Sequence, residues 1–235
     1  MDTNLVETNI ESEDLLEHVE LQDISDAIIT IQESFQISFQ GDELANVKIF
    51  QDLCNLIQEK IKLEDHDDCT SQQAYYKLNQ ALSHTFNLSK LDLSPETLIE
   101  NIIPRKNRIR KVKMLEDILD MQLFLLSPPV WLTCVLILVF FLSLLAFFFD
   151  GTIAVSGIAF SLLGLRIAHK MGKEIDIKTV GELTDNMVSY NYIKSRRDPN
   201  TVNRRELDHV IKSIFIKLFL LSPSALHKEA KFSEY

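Results

Sequence analysis

The chain has 235 residues, 46% of them hydrophobic and 25% charged, with a formal net charge of −10. That length allows one or two domains, and six glycines and six prolines are too few for a strand-rich fold, so an all-α architecture is expected. Cys54, Cys69 and Cys134 are scattered, with no CxxC pair, which argues against a disulfide framework and a zinc site and suits a reducing compartment.

The charge is unevenly divided. Residues 1–70 carry eighteen acids and three bases, whereas residues 105–235 carry thirteen acids and nineteen bases. The acidic part is repelled by anionic lipid and by nucleic acid. Its opening, MDTNLVETNIESEDLLEH, lacks the basic-then-apolar pattern of a signal peptide. Apolar residues at 15, 16, 19, 24, 28 and 31 predict an amphipathic helix over 11–34. Phe35, Ile37 and Phe39 then alternate in a short link that ends at Gly41. A second amphipathic helix is expected over 48–62, with Ile49, Phe50, Leu53, Leu56, Ile57 and Ile61 facing inward. EDHDD at 64–68 reads as a solvated acidic loop, and His66 within it as a loop residue rather than a metal ligand. Residues 71–90 read as a helix with Tyr75, Tyr76, Leu78, Leu82 and Phe86. SPET at 94–97 reads as a helix start, with Ser94 as N-cap and Pro95 in the first position. Pro104 breaks into the run RKNRIRKVK, and residues 109–126 are expected to continue helically to SPP at 127–129.

Residues 130–149, VWLTCVLILVFFLSLLAFFF, contain no charge. Twenty residues at about 1.5 Å each match a bilayer's hydrocarbon core. Asp150 and Gly151 form a turn, and TIAVSGIAFSLLGLRIA at 152–168 is a shorter apolar segment, so a two-helix transmembrane hairpin is expected. Arg105, Lys106, Arg108, Arg110, Lys111 and Lys113 precede it, and Arg166, Lys170 and Lys173 close it. The positive-inside rule places both flanks, and hence both termini, in the cytosol, with Trp131 as an interfacial anchor. Gly157, Ser161 and Gly164 share one helical face and read as packing within the hairpin, a homo-oligomer contact being the alternative. Asp150 reads as a helix cap rather than an ion ligand. Beyond the hairpin, a helix capped by Thr179 is expected over 179–193, RRDPN as a linker, and an amphipathic helix over 204–221 with Leu207, Val210, Ile211, Ile214, Phe215, Leu218 and Phe219 inward.

Some of these segments, FQISFQGDELANVKIFQDLCNLI (35–57), IDIKTVGELTDNMV (175–188) and ELDHVIKSIFIKLFLLSPSALHKEAKF (206–232), resemble parts of acyl carrier proteins. The first is similar to the second half of a carrier, the second to the entry of its last helix, and the third to its first helix and following loop. The stretches CTSQQAYYKLNQAL and LDLSPETLIENIIPRKNRIRKVKMLEDIL resemble bacterial membrane proteins that join carrier-like segments to a hairpin, which implies a bacterial inner membrane. The carrier's serine, which bears phosphopantetheine, falls on Leu21, counting back from Phe35, and leucine cannot be so modified. Ser25 lies one turn later, outside the motif. The resemblance therefore implies an acidic helical module with no prosthetic arm. Carrier modules dock on basic patches of their enzymes, which implies an acidic docking face for a cytosolic protein here, with Asp23, Asp26, Glu33, Asp42 and Glu43 as candidates. If the C-terminal part supplies the first helix and the N-terminal part the rest, 206–221 packs against 24–61.

Four regions are expected: an acidic carrier-like region at 1–70, a helical linker with the basic run at 71–128, the hairpin at 129–169 and a cytosolic helical region at 170–235. GxSxG, P-loop and GxGxxG motifs are lacking, so catalytic, cofactor and metal residues are assigned as none. The expected function is a membrane-anchored, non-catalytic adaptor, with membrane lipid and a cytosolic protein as partners. An oligomerising membrane effector and a genuine membrane-bound carrier are the alternatives. RRDPNTVNRR lacks the interleaved aromatics of a single-strand binder, and no nucleic-acid partner is assigned.

Overall fold

The computed structural model describes residues 21–87, 93–223 and 226–232, and they are mostly helical, as an all-α fold requires. In chain order the helices are α1 (Leu21–Phe35), α2 (Phe50–Lys60), α3 (Thr70–Phe86), α4 (Ile99–Ile102), α5 (Arg108–Leu119), α6 (Val130–Ala146), α7 (Gly151–Lys170), α8 (Val180–Tyr190), α9 (Tyr192–Ser195) and α10 (Leu207–Phe219). Four two-residue strands accompany them: β1 (Glu64–Asp65), β2 (Leu126–Ser127), β3 (Glu174–Ile175) and β4 (Thr201–Val202). The chain divides into two compact units. Unit 1 takes the residues up to Ala74 and those from Asn186 onward, and unit 2 runs from Tyr75 to Asp185. This differs from the four consecutive regions expected. An amphipathic stripe is buried against whichever stripe complements it, near or far in sequence.

In unit 1, α10 packs against α1 and α2, so 206–221 lies beside 24–61. Ala27, Ile31, Phe35, Leu53, Ile57, Ile211, Ile214 and Phe215 fill the core. The Phe50 and Phe215 rings meet edge to face at 5.6 Å, and Phe35 lies 5.0 Å from the Tyr192 ring. Such contacts add about 0.5–1.5 kcal/mol each beyond simple burial. Buried Ser34 pins α1 to the chain's other end: its hydroxyl donates to Ser189 O at 2.7 Å and accepts from Tyr192 N at 3.0 Å. The portion of the first predicted helix before Leu21 lies outside the described residues.

In unit 2, β2 and β3 pair antiparallel at the base of two antiparallel helices, α6 and α7. Three expectations change here. SPET does not start a helix: it forms a turn closed by Thr97 N to Ser94 O at 3.1 Å, and α4 begins only at Ile99. The carbonyls of Pro95 and Thr97 instead accept from Gly181 N and Val180 N at 2.8 and 3.0 Å, satisfying amides that the first turn of α8 cannot satisfy itself. Residues 109–126 are not one helix, because Asp120 turns left-handed (φ 53°) and the chain runs on extended. The hairpin lengths also invert. α6 has 17 residues, since 147–149 belong to the turn, whereas α7 has 20. Among the described residues α7 is the one helix long and apolar enough to cross a membrane by itself.

The two units repeat one hydrogen-bonding scheme. α3 and α10 each end on a left-handed residue, Asn87 (φ 54°) and Leu220 (φ 53°). Further on, Thr97 N donates to Ser94 O, as Ala230 N donates to His227 O at 3.0 Å. That segment then caps the start of another helix of its unit, α8 in unit 2 and α2 in unit 1. Val180 N and Gly181 N bond Thr97 O and Pro95 O, just as Phe50 N and Gln51 N bond Ala230 O and Lys228 O at 2.9 and 3.1 Å. Lys178 N reaches the Glu182 carboxylate at 2.8 Å, as Lys48 N reaches that of Asp52 at 3.1 Å. α1 and α5 end alike, on Gln36 and Asp120, both with φ 53°, and Phe39 N and Leu123 N return to the side chains of Gln32 and Glu116 at 2.9 Å. By this correspondence residues 40–47 of unit 1 take the place that 124–177 take in unit 2. The α6–α7 hairpin lies within that longer connection.

Candidate functional site

The acidic candidates lie on unit 1. Asp26 and Glu33 are exposed on α1, and Asp42 is exposed in the link that follows. The side chain of Asp23 lies outside the described residues. Glu43 is half-buried and engaged: its carboxylate meets Lys60 Nζ at 2.5 Å and accepts from Gln40 N at 2.6 Å. The Lys60 ammonium, chiefly by that hydrogen bond, holds the Glu43 carboxyl below the usual carboxylate range. Of the candidates with a described side chain, Glu43 is thus the one already committed within its own unit. Ser25 is exposed one turn into α1.

The acidic loop and the basic linker come together. β1 and β4 pair parallel, with Glu64 opposite Thr201 and Asp65 opposite Val202. Arg205 Nη1 meets Asp67 Oδ2 at 2.6 Å, and Arg204 N donates to Asp65 Oδ1 at 3.0 Å. The Arg204 guanidinium then caps the end of α2 through Gln58 O and Ile61 O, both at 3.1 Å. Arg196, expected in a linker, has no exposed side-chain surface. It donates to Thr70 Oγ1 at 2.6 Å, Thr201 Oγ1 at 3.1 Å, Asp68 O at 3.2 Å and His66 O at 3.4 Å, with Glu206 Oε1 3.6 Å away. Glu206 is held by the Tyr192 hydroxyl at 2.8 Å and by that of Thr70. The sequence signal for this clamp was the opposite charge of 64–68 and 196–205, read segment by segment as loop and linker. Three of the four arginines of RRDPNTVNRR, Arg196, Arg204 and Arg205, thus have their side-chain partners inside unit 1. Among the described residues no group of three or more His, Cys, Asp or Glu is arranged to hold a metal ion.

Around the hairpin the basic candidates separate into distinct roles. Arg108 is buried, its Nε and Nη2 donating to Ile103 O at 3.1 and 2.8 Å and its Nη1 to Lys173 O at 2.5 Å. It clamps the end of α4 to the chain leaving α7. Lys111 is half-buried, its ammonium 4.8 Å above the Phe86 ring. Arg105 pairs with Glu174. Lys106, Arg110, Lys113, Arg166, Lys170 and Lys173 are exposed, as is Trp131.

The small residues of α7 face α6. A methyl group on Gly157 would lie 2.1 Å from Ser143 Oγ, and one on Gly164 2.8 Å from Leu136 Cδ2. Ser161 is buried beside them. The stripe is therefore occupied within the hairpin. Asp150 caps α7, accepting from Thr152 N at 2.7 Å. The remaining hairpin surface is apolar, with Leu138, Phe141, Leu145, Val155, Phe160 and Leu163 all exposed. At its base a cleft of about 710 Å³ opens between α6 and α7, with Arg105, Lys173 and Glu174 at its rim.

Comparison with protein-family models, with curated proteins and with solved structures finds no match for this chain.

Proposed function

We propose that this chain is a membrane-anchored, non-catalytic interaction module. The α6–α7 hairpin anchors it in a bacterial inner membrane as two spans with both termini cytosolic, and unit 1 is a carrier-like module without its serine that docks a cytosolic protein. The observation that carries the reading is the hairpin surface. Large apolar side chains point outward along both helices while the small residues are used up between them. Water makes such a surface costly, at roughly 25 cal/mol for each Å² of apolar area, whereas lipid solvates it. α6 is short for a span, but three phenylalanines, 147–149, extend its apolar length through the turn. Asp26, Glu33 and Asp42 supply the acidic face that favours a basic partner.

Trp131 is the chain's only tryptophan and reports on the anchor directly. In reconstituted vesicles its fluorescence is expected to be quenched more by labels near the headgroups than by labels at the bilayer centre, and alkaline carbonate is expected to leave the protein in the pellet. Release by carbonate rejects the anchor. Intact-mass spectrometry of protein from its native membrane is expected to give the unmodified mass together with a co-purifying protein. A phosphopantetheine adduct would replace the adaptor reading with a working carrier.

A further inference from the structure

The cleft at the base of the hairpin combines two chemistries along one axis. Because α6 and α7 run antiparallel, with Leu136 against Gly164 and Ser143 against Gly157, the lining residues can be ranked by depth. Pro129, Met171, Lys173, Glu174 and Arg105 belong to the basic end of the hairpin, where chains enter and leave it. Leu132, Leu136, Phe160 and Ile167 line the cleft further in, over about two helical turns or roughly 10 Å. The walls are apolar, and the charges are confined to the mouth. Glu174 and Arg105 pair, so with Lys173 the mouth carries a net positive charge. The cleft's volume falls in the range of about 300–1,000 Å³ typical of ligand sites.

We propose that this cleft binds one anionic phospholipid, its phosphate held by Arg105 and Lys173 and an acyl chain lying against Leu132, Phe160 and Ile167. The proposal rests on the membrane reading above and adds a specific site to it. A soluble anion fits only the mouth and leaves the apolar walls uncovered. A neutral lipid covers the walls and leaves the mouth's charge uncompensated. An anionic lipid satisfies both, as basic pockets between membrane helices do generally. Arg105 has the donors to hold a phosphate and Glu174 together.

The test uses the full chain in a neutral detergent, titrated with phosphatidylglycerol or phosphatidylcholine and read by native mass spectrometry. Phosphatidylglycerol is expected to occupy the protein at about fivefold lower concentration than phosphatidylcholine, from roughly a factor of five per cation with one of the two offset by Glu174. Arg105→Gln with Lys173→Gln is expected to erase that preference, and Lys106→Gln with Lys113→Gln, which removes the same charge elsewhere, to keep it. Leu132→Trp, which fills the cleft without touching its charge, is expected to weaken binding of both lipids. Equal occupancy by the two lipids overturns the site, as does a preference that survives the first double substitution or disappears in the second. Displacement of phosphatidylglycerol by an equal concentration of inorganic phosphate overturns it too, since the acyl chain would then contribute nothing. Carbonate extraction separates the two claims. A protein that stays in the membrane but shows no preference rejects the lipid site alone, and a protein that is washed out rejects the anchor.

Discussion

A guanidinium with no exposed surface is tolerable only if its donors find acceptors, and Arg196 finds four besides the nearby Glu206 carboxylate. Arg196→Ala would take the cation away from Glu206 and leave backbone carbonyls and hydroxyls unpaired, so we expect about 3 kcal/mol or more of lost stability in denaturant unfolding. Arg196→Lys restores the charge but not the fork, and should recover only part of it. A loss below about 1 kcal/mol for the alanine variant would reject the clamp. The same unit sets an alkaline limit. Burial, with the Asp208 carboxylate adding to it, pushes the Cys54 thiol from 9.0 up to about 12, and burial pushes the Tyr192 phenol from 10.0 up to about 12. Both groups hold their protons longer folded than unfolded, so their contribution is complete below about pH 9 and falls as pH rises towards 12. The melting temperature of unit 1 should be flat from pH 7 to 8.5 and drop by pH 11. Cys54 should also resist thiol reagents at pH 8, where exposed Cys69 reacts. These polar contacts were hidden in the sequence because Arg196 and Glu206 look like ordinary surface residues; their bonding depends on partners 126–136 positions away.

At the scale of elements, apolar periodicity carried most of the information. Leu53, Ile57, Val210, Ile211, Ile214 and Phe215 are buried as their spacing predicts, because a 3.6-residue period identifies a face without naming its partner. On α3, Leu78 and Leu82 are buried while Tyr76 is exposed. Boundaries failed where tertiary bonding competed, as at SPET, whose carbonyls serve α8 instead of starting a helix. Glycines sharpen the point, since they look alike in sequence. A methyl group on Gly172 would meet the carbonyl of Ser127 at 2.4 Å and Pro128 N at 2.7 Å, backbone that cannot swing aside, whereas one on Gly151 meets nothing within 4 Å. Gly172→Ala should therefore cost about 2 kcal/mol or more and loosen the β2–β3 pairing, while Gly151→Ala, inside the first turn of α7, should be neutral or slightly stabilising. Thermal melting in detergent checks both, and equal effects would mean that the close approach at Gly172 is easily relieved. For the small stripe, Gly157→Ala should destabilise the hairpin by about 1–2 kcal/mol through Ser143, and Ser143→Gly in the same chain should recover most of it.

At the scale of the whole molecule, the repeated hydrogen-bonding scheme explains why so little of the organisation is consecutive. One motif is assembled from 21–60 and 207–232, the other from 74–123 and 177–185, and only the second carries a hairpin. The side chains differ while the bonding pattern is shared. Phe50 and Val180 occupy equivalent buried positions, as do Phe35 and Leu119, while on the exposed faces Asp26 of α1 corresponds to Arg110 of α5 and Glu33 to Asp117. If the hairpin is an insertion into a motif that closes without it, unit 2 should survive its removal. Replacing residues 124–177 with the unit 1 connection, 40–47, joins Leu123 to Lys178 just as that connection joins Phe39 to Lys48. The packing of α3, α5 and the start of α8, with the cap from Glu182 to Lys178 N, stays in place. Arg108 loses its acceptor at Lys173 O but keeps Ile103 O. The shortened chain should therefore remain in the supernatant without detergent, keep its helical circular dichroism and unfold cooperatively. Cooperative unfolding would show that the repeated motif folds independently of the membrane. Loss of the dichroism signal or aggregation would show instead that the hairpin is an integral part of unit 2, and that the matching bonds around Glu182 and Asp52 are not enough to define a self-sufficient fold.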